Sequence, residues 1–114
     1  MNSLSGEGYV VELDADRDTV RMAGALRLGG LSEYGPISQM LESALDGRSH
    51  LTIDLTGLEF LNSSGIATLS KFVISARNRN ECALLIRGSN DIAWQGKSLN
   101  NLKRLMPALE LQFD

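Results

Sequence analysis

Two adjacent hydroxyls, Ser63 and Ser64, lie in the segment Asn62-Ser63-Ser64-Gly65 and are the chain's best candidates for chemistry. All four residues are types that favour helix N-caps, and they stand between two different periodicities. Before them, Leu51, Ile53 and Leu55 alternate with Thr52, Asp54 and Thr56, the period of a strand with one buried face. After them, Ile66, Leu69, Val73 and Ala76 fall at helical spacing. A hydroxyl at that junction meets unpaired backbone N–H groups and the positive end of a helix dipole. Such a place stabilises an anion, including a phosphate carried by the serine itself. The other use of a serine there is to cap the helix with its own oxygen. The residues alone leave both readings open.

Other chemistries find less support. A nucleophilic serine needs a base, and the sole histidine, His50, opens the strand whose far end leads to the serines. Roughly 20 Å of extended chain separates the two. The segment also lacks the G-x-S-x-G pattern of a nucleophile elbow. Asp54, Glu59 and Asp91 offer carboxylates without the spacing of a metal site. No glycine-rich phosphate loop is present, so an ATP site would belong to another protein. An enzyme is not expected, nor a metal or cofactor. Cys82, in an apolar run, reads as a small buried hydrophobe. Trp94 follows a polar loop and either covers the end of the core or anchors a partner.

The stretch 54–71 resembles the signature of STAS domains, the family of the anti-sigma factor antagonists. Asp54-Leu55, Phe60-Leu61 and Asn62-Ser63-Ser64-Gly65-Ile66 match the family's strand end, its aromatic or apolar pair, and its Asp-Ser-Ser-Gly followed by an apolar helix. The resemblance extends more weakly over the order of elements. It implies a bacterial anti-sigma factor antagonist whose Ser63 is phosphorylated. The implied partners are a histidine-kinase-like ATPase, acting as anti-sigma factor and serine kinase, and a serine phosphatase that resets the switch. Two residues depart from the pattern. Asn62 replaces the usual aspartate, keeping the capping ability and losing the charge. Arg27 stands where the family has an acidic turn before its first helix. The alternative is a STAS module that works without phosphorylation, as a scaffold or interaction module in a larger signalling assembly.

The contact surface expected from these residues comprises Asn62, Ser63, Ser64, Gly65, Ile66 and Phe72, the last on the outer edge of the helix, together with Trp94. Unmodified, it is small and neutral. A phosphate adds roughly −1.5 to −2 charges and repels a partner that must desolvate the surface or that presents carboxylates.

The elements that must position the serines follow from the rest of the chain. Residues 1–8 read as a loose tail, and 9–114 as one domain. Residues 9–13 and 19–23 are strands joined across the Asp-rich turn 14–18, an antiparallel hairpin. A helix over 31–46 has Ser32 as N-cap, Pro36 in its first turn and Gly47 as its stop, with Tyr34, Ile37, Leu41, Ala44 and Leu45 inward. The strand 50–55 ends at Gly57. A second helix covers 63–78, a strand 81–87, a third helix 98–105 and a last strand 109–113. The order β-β-α-β-α-β-α-β, with a helix between each of the later strands, predicts parallel pairs there. The fold class is α/β, a single mixed sheet with helices mainly on one face, which is also the STAS architecture.

Composition agrees. At 114 residues the chain is one domain of ordinary size, and 43% hydrophobic residues supply a core. A net charge of −3 leaves no basic surplus for a nucleic-acid backbone. Lys97, Lys103 and Arg104 read as one solvated helix face. No apolar run is long enough for a membrane span, and residues 1–6 have neither the basic nor the apolar region of a signal peptide. The expectation is a cytoplasmic protein, monomeric or a weak homodimer.

Overall fold

Leu51, Ile53, Leu55, Leu58 and Leu61 are buried while the residues between them reach solvent, so one long strand, His50–Leu61, turns a single face inward. The structure, a computed structural model, describes residues 3–114. Among these residues, six strands form one sheet in chain order: β1 (Ser3–Gly6), β2 (Tyr9–Asp14), β3 (Thr19–Leu26), β4 (His50–Leu61), β5 (Ala83–Gly88) and β6 (Glu110–Phe113). The first two pairings are antiparallel and the last three parallel. Each parallel step passes through a helix: α1 (Gly35–Leu45), α2 (Ser63–Arg79) and α3 (Gln95–Leu105). Every step moves the same way across the sheet, and crossovers keep one hand, so the three helices land on one face. The expected α/β architecture, with a mixed sheet and helices on one face, is the one observed, and it is consistent with a STAS-like fold. No helix among the described residues is long and apolar enough to cross a membrane.

The core lies between sheet and helices. α1 contributes Ile37, Leu41 and Leu45, α2 contributes Leu69, Phe72, Val73 and Ala76, and α3 contributes Leu99 and Leu102. Each large side chain removed from water there stabilises the fold by roughly 1.5–3 kcal/mol before the cost of ordering it.

Three expectations are corrected. Ser3–Gly6, read as part of a loose tail, is a strand: Gly6 pairs with Tyr9 across a two-residue turn, and Gly8 takes the positive φ of 84° that such a turn needs. Met1 and Asn2 lie outside the described residues. Gly57 does not end a strand. β4 runs through it, with register shifts in β3 between Arg21 and Ala23 and between Gly24 and Ala25. A Cβ at Gly57 would come within 3.2 Å of the Ala23 Cβ, so close strand approach, rather than chain breaking, explains the glycine. Asp54 supports the irregularity by accepting from Thr56 N and Oγ1 at 2.9 and 2.7 Å. Finally, α1 starts later than expected and α3 earlier. Ser32 caps nothing, because the loop before α1 turns once more before the helix begins at Gly35.

Candidate functional site

The ends of β3 and β4 bring Leu26 beside Leu61, and the Asn62 N–H donates to the Leu26 carbonyl at 3.2 Å. The chain then turns into α2. Asn62 is its N-cap, in extended conformation (φ −80°, ψ 177°), with its side chain accepting from Gly65 N at 3.0 Å. The same Oδ1 accepts from the Tyr34 hydroxyl at 2.6 Å, and Nδ2 donates to the Leu28 carbonyl at 2.8 Å. The amide orientation is fixed from both sides: Gly65 N–H and Tyr34 O–H need an oxygen, and the Leu28 carbonyl needs a donor. Asn62 therefore ties α2 to the start of α1 and to the loop after β3. Here the departure from aspartate acquires a physical reason, since a carboxylate would set an acceptor against the Leu28 carbonyl. Burial of Tyr34 pushes its phenol up from the usual range, which keeps the hydroxyl a donor.

With Asn62 doing the capping, the serines are released from it. Ser63 is the first residue of α2 and is exposed, and Ser64 is half-buried. Neither hydroxyl is engaged by another described side chain or backbone group; the Ser64 carbonyl accepts from Thr68 Oγ1 at 2.9 Å. The first turn of α2 holds no acidic residue to compete for its positive end. Gly65 is buried, and a Cβ there would meet Leu61 and come within 2.8 Å of the Tyr34 hydroxyl oxygen. Ile66 is half-buried against the core.

Phe72 was expected on the outer edge of the helix, and this is corrected: it is 2% exposed and belongs to the core. The inward stripe of α2 is wider than Ile66, Leu69, Val73 and Ala76, and it takes in Phe72, three residues beyond Leu69. Trp94 is half-buried against the core, and its Nε1–H donates to the Leu58 carbonyl at 3.2 Å. Packing against the core is what the first of its two readings expects. Beside it lies a residue that sequence reading missed. Gln95 is 0% exposed; its Nε2 donates to Leu55 and Leu58 carbonyls at 2.7 and 3.0 Å, and its Oε1 accepts from Ser89 N at 2.7 Å. It holds the irregular end of β4 in place, and the only sequence signal was a polar residue directly before a helical stripe.

An exposed aromatic stands at the end of β4, one residue before the buried Leu61. Phe60 is 40% exposed, and the Arg27 guanidinium sits 4.5 Å from its ring centroid. The departure at Arg27 thus has a contact. His50 lies at the opposite end of β4, with Nε2 3.7 Å from Asp18, so no Ser–His pair forms. Asp54 faces Arg87 on the uncovered side of the sheet. Among the described residues no group of three His, Cys, Asp or Glu could hold a metal ion. Cys82 is buried, and burial raises its thiol pKa. A surface cleft of about 680 Å³ is lined by Glu12, Arg21, Asp54 and Arg87 and by the 3-10 turn Ala15–Arg17, away from the serines.

No family model and no curated protein matches the chain. Solved structures do. The chain is similar to apo-SiaC from Pseudomonas aeruginosa, at 16% identity and a TM-score of 0.73, over 100% of this chain and 99% of that one. It is also similar to a chain in the crystal structure of the diguanylate cyclase SiaD in complex with its activator SiaC, from the same organism. There the identity is 15%, the TM-score 0.77, and the coverage 100% of both chains. At these identities the likeness shows the fold.

Proposed function

We propose that the chain is a non-enzymatic regulator that binds a protein partner at the start of α2 and is switched by phosphorylation of Ser63. One observation carries this reading: Asn62 caps α2 by taking Gly65 N, and Ser63 is left exposed on the first helical residue with its hydroxyl unused by the fold. A phosphate there would meet the unpaired N–H groups and positive end of α2, so the fold would accept the charge while the surface changes sign. The docking surface is Ser63 with Asn62, Ser64 and Ile66 beside it.

Two observations bear on the partner. SiaC is an activator found in complex with a diguanylate cyclase, which supports a signalling enzyme as the class of protein bound. The motif's resemblance to anti-sigma factor antagonists supports a serine kinase and a phosphatase as the enzymes that set the switch, with the kinase doubling as an anti-sigma partner. In both readings the chain acts in the cytoplasm, and the ATP site lies on the other protein. The test is site mapping by mass spectrometry, on chain incubated with host extract and ATP. Phosphate on Ser63 is the expected result. Phosphate confined to other residues, or none, contradicts the switch.

A further inference from the structure

The uncovered face of the sheet carries a charge pattern that the switch does not use. Ser3, Glu12, Arg21, Asp54, Arg87 and Gln112 are successive cross-strand partners, so they stand in one row across all six strands. The four inner members alternate in sign: Glu12, Arg21, Asp54, Arg87. Within the row the pairing is loose, with Arg21 Nη1 3.6 Å from Glu12 and Arg87 Nη1 3.9 Å from Asp54, while Arg87 Nη2 also holds Asp114 at 2.7 Å. The side chains of Glu12, Arg21 and Arg87 keep 46%, 48% and 38% of their surface exposed. The rows on either side are uncharged at β3 and β4: one runs Asp14, Thr19, Thr52, Leu85 and Glu110, the other Ser5, Val10, Ala23 and Gly57. On β3 and β4 these neighbours are small, and the turn Ala15–Arg17 borders the charged row.

We propose that this face seats a second copy of the chain, packed sheet to sheet about a two-fold axis parallel to the strands and midway between β3 and β4. Such an axis reverses the order of the row. Glu12 then faces Arg87 of the second copy and Arg21 faces its Asp54, and the reverse contacts follow by symmetry. An alternating row of even length complements its own reverse at every position. A two-fold axis along the row would keep the order and set like charge against like, so the pattern selects the first arrangement. Stacked sheets lie about 10 Å apart, a gap that an arginine from one and a carboxylate from the other can span. The contact is electrostatic and partly desolvated, so it is weak and screened by salt. Ser63 belongs to the helix layer and stays free in the dimer.

Sedimentation velocity on the full chain at about 100 μM, a concentration that reports weak association, tests this. The expected result is a dimer at low salt that becomes monomer near 1 M salt, where the Debye length is about 3 Å. Glu12→Arg weakens the dimer by at least about tenfold, as does Arg87→Glu. An equimolar mixture of the two variants restores it, because each changed charge then meets its opposite. Circular dichroism checks both folds. Should Arg87→Glu misfold, since Arg87 also holds Asp114 at 2.7 Å, the salt dependence and Glu12→Arg alone decide. A monomer at low salt, or a dimer that salt and Glu12→Arg leave intact, overturns the proposal.

Discussion

The starts of α2 and α3 each follow the end of a parallel strand, yet they treat their polar groups in opposite ways. At α3 the first helical residue, Gln95, folds back into the core and uses both ends of its amide on the backbone of β4 and of the loop after β5. Trp94 adds its own bond to the Leu58 carbonyl. Nothing polar in that pair is left for a ligand. At α2 the joining is done one residue earlier, by Asn62, and the first helical residue points its hydroxyl at solvent. One helix start is sealed and the other is anchored but open. A binding switch needs the second kind, because a group can be added there without removing a bond that the fold uses.

Substitutions can break this contrast. The largest loss is expected at the sealed end. Gln95→Ala leaves the Leu55 carbonyl and the Ser89 N–H without partners and opens a cavity, so denaturant unfolding should show a loss of about 3 kcal/mol. A loss below about 1 kcal/mol would mean that water replaces the amide and the end is not sealed. At the anchored end, Asn62→Ala removes the cap and strands the Tyr34 hydroxyl and the Leu28 carbonyl, for a loss of about 2 kcal/mol in the same measurement.

Tyr34→Phe removes a single donor, and Asn62 Oδ1 keeps Gly65 N, so about 1 kcal/mol is expected. The same change has a pH signature. Burial raises the folded pKa of the phenol, so its neutral form is favoured in the folded state. Its stabilisation is complete below the unfolded value of about 10 and is lost as pH rises through the raised folded value. The stability gap between wild type and Tyr34→Phe should therefore hold at neutral pH and narrow in strongly alkaline solution. A gap that widens there would place the phenolate, not the phenol, in the anchor.

The contrast also marks how far the sequence could be read. The α2 start was legible because the apolar period changes from two to helical across four cap-forming residues, a purely local signal. The sheet order and the one-sided helices followed from element order and crossover handedness. What stayed hidden is non-local. Tyr34 reads as one more inward residue of a helix stripe, and its bond to Asn62 spans 28 positions. Gln95 looks like any polar residue of a loop, and its role depends on an irregularity in β4 that is 37 to 40 residues away. Phe72 lies beyond the minimal apolar stripe, and its burial reflects the greater width of the inward face of α2. Ser3–Gly6 carries little strand propensity and is a strand because β2 offers it an edge.

In the proposed switch, charge on Ser63 changes what docks without changing the fold. The most direct measurement is a pull-down with Ser63→Ala and Ser63→Asp side by side, both forms melting at the wild-type temperature. The alanine form should retain a protein which the aspartate form loses. Equal retention by both folded forms would contradict it.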